Sequence, residues 1–242
     1  MGINASYSAF CVTDLAAAVA GIRAMNIQGA SVTIPFKTAV MDFLDEIDAD
    51  AAAVGAVNTI VNDHGRLIGH NTDWSALMDA LREETQLKGK KFIILGAGGT
   101  ARAAAYGITK EGGRPIIVNR TPEKGRKLAD RFDCPFYPLM EIGKVRAFGL
   151  INTTPVGMFP DSHSSPVDSS ILNGFRIVAD VIYNPLKTGL IRDAEAKGCR
   201  VVPGLEMFVR QGARQLNLWT GRKAPLAVMR NAVRERLMRH EF

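Results

Sequence analysis

Residues 92–121 read FIILGAGGTARAAAYGITKEGGRPIIVNRT, and the glycines in this stretch are spaced to hold an anion. Gly96 permits a tight turn, Gly98 leaves the backbone free to approach a pyrophosphate, and Ala101 in the third position lets a helix pack closely on the preceding strand. Ala97, Gly99 and Thr100 complete the turn. The helix expected over residues 99–111 aims its unpaired amides and positive dipole end at that anion. At the end of the following strand, where an NAD enzyme usually carries Asp or Glu for the ribose 2′-hydroxyl, this chain carries Asn119, Arg120 and Thr121, with Lys124 and Arg126 just beyond. A guanidinium suits a 2′-phosphate, so the cofactor read from these residues is NADP. The glycine pattern alone also fits an ordinary turn of an α/β protein, or a site for another nucleotide. Its setting between strand and helix, with a basic strand end, selects the dinucleotide. Four further strings combine polar residues with tight loops: VTIPFK ending at Lys37, GAVNT around Asn58, HNTD ending at Asp73, and DVIYNPLKT around Tyr183.

These residues need a scaffold, and the apolar pattern supplies one. Phe92, Ile93, Ile94 and Leu95 form a continuous apolar run, as in a strand buried on both faces of a parallel sheet. Strands are expected over 115–118, 148–152, 177–182 and 200–202, with helices from 121 to 132 and over 186–197. Alternation of this kind implies a doubly wound parallel sheet. Earlier in the chain, a strand over 7–13, an Asp-capped helix over 14–25 and a strand over 30–34 predict a small βαβ unit. A helix over 37–44 after Pro35, two strands within 57–70 turning at Asp63-His64-Gly65, and a helix over 72–84 complete that half. Leu205, Phe208, Val209, Gly212, Ala213, Leu216 and Trp219 mark one face of a late helix.

The chain has 242 residues, 47% hydrophobic and 22% charged, enough for a full core on the border between one and two domains. No apolar run approaches the ~20 residues of a membrane span. Met1 to Asp14 lacks the basic start and apolar core of a signal peptide, and a match of Met1-Gly2 with Ser6 to the myristoylation pattern is too short to count. Cys11, Cys134 and Cys199 lie far apart in no C-x-x-C pair, which predicts a reducing cytoplasm. His64, His70, His163 and His240 show no ligand spacing, so no metal is expected. The formal charge of +6 raises nucleic acid as a partner. Its densest cluster, Arg222, Lys223, Arg230, Arg234, Arg236 and Arg239, shares a segment with Ala227, Val228, Val233 and Leu237 at helical spacing and no interleaved aromatics. That reads as a solvated helix face, and the positive field as an attractor of small anions.

The four polar strings, together with GAGGTAR, NRT, NTTPVGM at Asn152 to Met158, GLEMFVRQGA with Gln211, and LWTG at Leu218 to Gly221, give the chain a resemblance to the shikimate dehydrogenase family over nearly its whole length. The resemblance implies that Lys37 and Asp73 form a catalytic pair, and that Thr33, Asn58, Tyr183 and Gln211 hold the substrate. It implies that Asn119, Arg120 and Thr121, with Lys124, surround the 2′-phosphate, and that Thr153, Met158 and Gly204 also contact the cofactor. The reaction implied is the reversible reduction of 3-dehydroshikimate to shikimate by NADPH, on the way to aromatic amino acids. Physically, a hydride arriving at a carbonyl leaves charge on oxygen, which an ammonium can stabilise and protonate, while a carboxylate orients the amine. Read from residue type alone, Lys37 is equally a solvated lysine at a helix start, Asp73 a helix cap, Asn58 a structural hydrogen-bonder, Tyr183 a core aromatic and Gln211 a surface residue.

The expected architecture is two-domain α/β: an NADP-binding, Rossmann-like sheet over 74–222, and a smaller substrate domain over 1–73 joined by 223–242, with the site in the cleft between them. A monomer or homodimer is expected. Family members begin earlier, with a strand and a Ser-x-Ser segment whose hydroxyls hold the substrate carboxylate; Ser6 and Ser8 are not that motif. The expectation is therefore a shortened form with Met1 an internal methionine, with a natural short form as the alternative, lacking two bonds worth together roughly 3 to 6 kcal/mol of binding. Two alternatives stay open on sequence: a relative that accepts quinate or uses NAD, and a non-catalytic nucleotide binder.

Overall fold

Asp14 starts the first helix because its carboxylate accepts from Ala17 N at 2.9 Å, satisfying an amide that the helix itself cannot. In the computed structural model, which describes residues 1–239, that helix is α1 (Leu15–Ala24), followed by β1 (Gly29–Ser31), β2 (Glu46–Ile47), α2 (Ala49–Val54), β3 (Thr59–Asp63) and β4 (Arg66–His70). The strands form a sheet in the order β1-β3-β4-β2, with β3 antiparallel to both β1 and β4. β3 and β4 turn through His64 and Gly65 at φ 51° and 92°, the left-handed pair that follows the strand twist in a two-residue hairpin. Val19, Ile22, Val40, Ala51, Val57, Ile60 and Leu67 close a small core over this sheet.

Three expectations for this half fail. Residues 7–13 form no strand: Tyr7 and Phe10 stand 72% and 74% exposed, so the predicted βαβ unit is absent. A strand needs a neighbour's amides and carbonyls, and among the described residues no strand pairs with this segment; Tyr7 is anchored through its hydroxyl to Ser31 Oγ (2.6 Å) and its ring beside Trp219. β1 stops at Ser31, short of residue 34, because Phe36 N folds back onto Thr33 O around Pro35, which has no amide for a ladder. The helix predicted over 37–44 is a 3-10 turn at Ala39–Phe43, leaving Lys37 outside it.

The second half adds α3 (Asp73–Glu84), β5 (Lys91–Leu95), α4 (Gly99–Lys110), β6 (Arg114–Asn119), α5 (Pro122–Arg131), β7 (Phe136–Pro138), β8 (Gly149–Asn152), β9 (Ile177–Asp180), α6 (Gly189–Ala196), β10 (Arg200–Val202), α7 (Gly204–Thr220) and α8 (Leu226–Met238). Six strands form a sheet in the order β10-β9-β8-β5-β6-β7, every neighbouring pair parallel. Alternation along β5 explains the double winding. Phe92 and Ile94 join the core under α3, α4 and α5, whereas Ile93 and Leu95 join one built from α6 and two 3-10 turns. α6 begins three residues later than predicted, since Thr188 Oγ1 accepts from Ile191 N and so caps it there.

α7 spans both sheets: Trp219 Nε1 donates to Ile60 O at 2.8 Å in β3, while the start of the helix abuts Ile182 beyond β9. α2 is tied to the second sheet's helices, with Tyr106 Oη and Lys110 Nζ both 2.5 Å from Asp50 Oδ1, and Arg131 Nη2 donating to Ala52 O and Ala53 O. α8 lies on α7 through the Arg230–Glu206 pair. Residues 240–242, with His240 at the end of the 223–242 segment, lie outside the described residues.

Candidate active site

Where strand order reverses in an open parallel sheet, the loops leaving neighbouring strands diverge and open a crevice. Here that point lies between β5 and β8, and the glycine turn and Thr153 meet across it. Thr153 Oγ1 donates to Leu95 O at 2.5 Å. Gly96 sits at φ 113°, and a Cβ there would come within 2.7 Å of that same Oγ1, so only glycine makes this turn. Gly98 is different. A Cβ on it would meet nothing within 4 Å, which leaves open space beside an exposed stretch of backbone. α4 starts here with no side chain capping it, so its first amides remain available. This open backbone cradle at a helix N-terminus fits a pyrophosphate. Ala97, Thr100 and the buried Ala101 complete it.

At the end of β6, Asn119 Nδ2 donates to Thr121 O at 2.8 Å and fixes the bend. Arg120, Thr121 and Lys124 are exposed beyond it, and among the described residues neither Arg120 nor Lys124 forms an ion pair. Arg126 lies over the Phe136 ring. The bend is thus a rim on which Arg120, Lys124 and Arg126 outnumber the single carboxylate of Glu123, suited to a dianion.

The structure brings Lys37 and Asp73 together. Lys37 Nζ donates to Asp73 Oδ2 at 2.6 Å and lies 3.4 Å from Thr100 Oγ1, so the pair sits at the mouth of the glycine turn. A Cβ on Gly99 would lie 3.1 Å from Lys37 Cβ, which puts the lysine stem against that glycine. Asp73 is 3% exposed and opens α3, where the helix dipole favours its charge. Its other oxygen accepts from Asn58 Nδ2 at 2.8 Å. Asn58, 2% exposed, also donates to Thr72 Oγ1, and its Oδ1 accepts from Thr72 N and Thr59 Oγ1, both at 2.8 Å. The backbone holds the same loops together: Val57 N donates to Lys37 O, and Asn58 N to His70 O.

The remaining predicted residues are placed as follows. Thr33 is exposed beside the turn that leads into Lys37. Tyr183 is 36% exposed and stacks on Phe208 with ring centroids 3.8 Å apart, and burial raises its hydroxyl pKa. Gly204 opens α7 against Ile182, where a Cβ would come 2.2 Å from Ile182 O, so Tyr183, Gly204 and Phe208 form one corner. Met158 is exposed on the loop after β8. Gln211 is not drawn into the Lys37 cluster; its Nε2 donates to Phe208 O in its own helix.

Two clusters escape motif reading. Gln215, one helical turn beyond Gln211, is 4% exposed; it donates to Asn58 O and Thr59 Oγ1 and accepts from Ser31 Oγ. An i, i+4 glutamine pair was the only signal for it. Asp180 lies buried at the end of β9, accepting from Asn152 Nδ2, Ile182 N and Thr188 Oγ1; burial pushes its carboxyl up to about 6. Among the described residues there is no cluster of three metal-ligating side chains, and no helix is long and apolar enough to cross a membrane.

Comparison with known proteins agrees along the chain. Family models match in three stretches: the shikimate dehydrogenase substrate binding domain over residues 1–60, shikimate / quinate 5-dehydrogenase over 79–147, and the shikimate 5'-dehydrogenase C-terminal domain over 204–234. The chain is 41% identical over 251 residues to the shikimate dehydrogenase (NADP(+)) of Methanothermobacter thermautotrophicus, covering 99% of this chain and 89% of that protein. It is 42% identical over 238 residues to the protein of the same name from Pyrococcus abyssi, covering 98% and 89%. Among solved structures, a shikimate dehydrogenase in complex with NADP+ superposes with a TM-score of 0.85 at 38% identity, covering 92% of this chain and 81% of that one. Shikimate 5-dehydrogenase from Thermus thermophilus, in complex with NADP(H) and shikimate, gives 0.82 at 35%, covering 91% and 83%.

Proposed function

The chain belongs to the shikimate dehydrogenase family, and from that premise we propose that it catalyses the reversible reduction of 3-dehydroshikimate to shikimate, with NADPH held between its two sheets. The observation that carries this reading is the 2.6 Å Lys37–Asp73 pair at the mouth of an open glycine turn.

When bound, NADPH supplies a hydride to the substrate's carbonyl carbon. The free amides of Gly98, Gly99 and Thr100 would hold the pyrophosphate, and Asn119, Arg120, Thr121 and Lys124 the 2′-phosphate; Thr153, Met158 and Gly204 are the proposed contacts to the rest. Lys37 carries its proton at Nζ, stabilises the negative charge that develops on the carbonyl oxygen, and delivers that proton to it. Its side chain keeps 14% of its surface in contact with solvent, so water can reload the amine. Asp73 has two tasks: Oδ2 holds the amine in place, and the carboxylate accepts from the adjacent substrate hydroxyl. Asn58 fixes the plane of that carboxylate and acts through Asp73. Thr33, Tyr183 and Gln211 are the proposed substrate contacts. The unpaired thiols of Cys11, Cys134 and Cys199 support a reducing, cytoplasmic setting.

The test is NADPH oxidation dependent on 3-dehydroshikimate, measured on this chain and on Lys37→Met. Activity should fall about 10²- to 10⁴-fold in the variant, as expected for loss of a general acid, with NADPH affinity retained. Turnover that survives the substitution, or a chain that binds NADPH but oxidises none, overturns the reading.

A further inference from the structure

We propose that Asp180 is a positioning residue for the hydride-transfer site: a single buried carboxylate that ties the loop after β8, the loop after β9 and the start of α6 into one unit, and so sets where Thr153, Met158 and Tyr183 stand. The inference rests on the dehydrogenase reading for what those three residues contact, but the ties themselves are geometric.

Each tie is a named bond. Asp180 Oδ2 accepts from Thr188 Oγ1 at 2.7 Å, and the Thr188 oxygen in turn accepts from Ile191 N, so the carboxylate fixes the cap of α6. Oδ1 accepts from Ile182 N at 3.1 Å, one residue before Tyr183. The same oxygen accepts from Asn152 Nδ2 at 3.1 Å, and Asn152 Oδ1 accepts from Thr154 N and Thr154 Oγ1, which holds the bend that carries Thr153. Ile182 is pinned from its other side by Gly204 at the head of α7. The starts of the loops after β8 and β9 and the start of α6 therefore share one anchor, 2% exposed.

The groups around Asp180 are donors, and none of them is charged. Lys187 pairs with Glu195, Arg192 Nη1 donates to Lys187 O, Glu206 on α7 is held by Arg230 and Arg210, and Arg200 on β10 turns to Glu84 O. Tyr183 stacks on Phe208, and Cys199 bonds the carbonyls of Leu172 and Phe175. With three neutral donors and no cation, burial dominates and raises the carboxyl to about 6. Protonation sets a donor against donors. It either breaks one tie or reverses the Thr188 hydroxyl, and the three segments loosen together.

The experiment uses the full chain free of ligand, then with NADP. Hydrogen exchange at Thr154 N and Ile182 N, corrected for intrinsic rates, should lose protection together as pH falls through about 6, and NADP affinity by calorimetry should weaken about tenfold over the same range, the size of one lost hydrogen bond. Asp180→Asn, which keeps the shape and cannot ionise, should show weaker protection with no pH step. Thr188→Val, which leaves the carboxylate but removes one donor, should move the step to higher pH. Wild-type protection and an unchanged pH step in Asp180→Asn overturn the proposal, as does an unmoved step in Thr188→Val should the asparagine variant fail to fold. Should the wild type oxidise no NADPH with 3-dehydroshikimate, the reaction assignment falls, while exchange and nucleotide binding still decide the role of Asp180.

Discussion

Replacing Asn58 with Ala is the most demanding test of how the Asp73 carboxylate is held. The substitution removes the bond from Nδ2 to Asp73 Oδ1, a charge-assisted bond at 2.8 Å between groups 2% and 3% exposed, worth about 1.5 to 3 kcal/mol. It also strips Thr72 N of its acceptor and takes one from the Thr59 hydroxyl, both buried; an orphaned buried donor costs about 1 to 3 kcal/mol. Thr59 Oγ1 still accepts from Gln215, and threonine hydroxyls can turn, so the terms overlap. A net loss of about 3 to 5 kcal/mol is expected, which lowers Tm by about 6 to 20 °C in a chain of this size. Urea unfolding followed by circular dichroism measures it, and kcat/KM of the protein that remains folded should fall too, since Asp73 then keeps one fixed partner. A loss below about 1 kcal/mol with a raised KM would refute the reasoning; it would mean that Asn58 serves the substrate directly and that the carboxylate is held by other means.

Gly98→Ala should leave Tm unchanged, because the new methyl enters open space on a backbone at φ −86° and ψ −170° that any residue adopts, yet it should weaken NADP binding tenfold or more; equal affinity by calorimetry would remove the pyrophosphate from this turn. Arg120→Ala should lower the NADPH-over-NADH ratio of kcat/KM by about 10- to 100-fold, the size of one charge-assisted bond, leaving NADH turnover intact. An unchanged ratio would place the 2′-phosphate elsewhere. Asp180 also predicts a stability profile. Its folded pKa of about 6 lies above the ordinary value of 3.8, so its charged form costs stability: the cost is absent below about pH 4, grows as pH rises to 6, and levels at about 3 kcal/mol above it. Subtracting the urea curve of Asp180→Asn from that of wild type should isolate this slope, and a flat difference contradicts it.

Much of the second sheet was legible because its signals are local. The run Phe92 to Leu95 needs only its own neighbours to read as a buried strand, and Gly96 and Gly98 announce the turn that follows. The hairpin at His64-Gly65 was legible for the same reason. Residues 7–13 show the limit: their pattern suits a strand, but a strand is a relation between two segments, and among the described residues no strand pairs with them. α2 went unread because six residues give no periodicity; its signs were Asp48, whose carboxylate accepts from Ala51 N, and Gly55 at φ 72°. At the candidate site, the resemblance located Lys37 and Asp73, whose spacing along the chain says nothing of a 2.6 Å contact. Gln215 and Asp180 were missed because each bonds to atoms from distant segments, such as Asn58 O or Thr188 Oγ1, which no short string records.

The stem of Lys37 rests on Gly99, so the proposed proton donor leans on the very backbone proposed to receive the pyrophosphate. The contact is one of several that join the halves, beside the bonds of Tyr106 and Lys110 to Asp50 and of Trp219 to Ile60. A dinucleotide bound there would fix the height of the lysine at the same stroke, so that one stretch of backbone would set both the cofactor and the proposed proton donor.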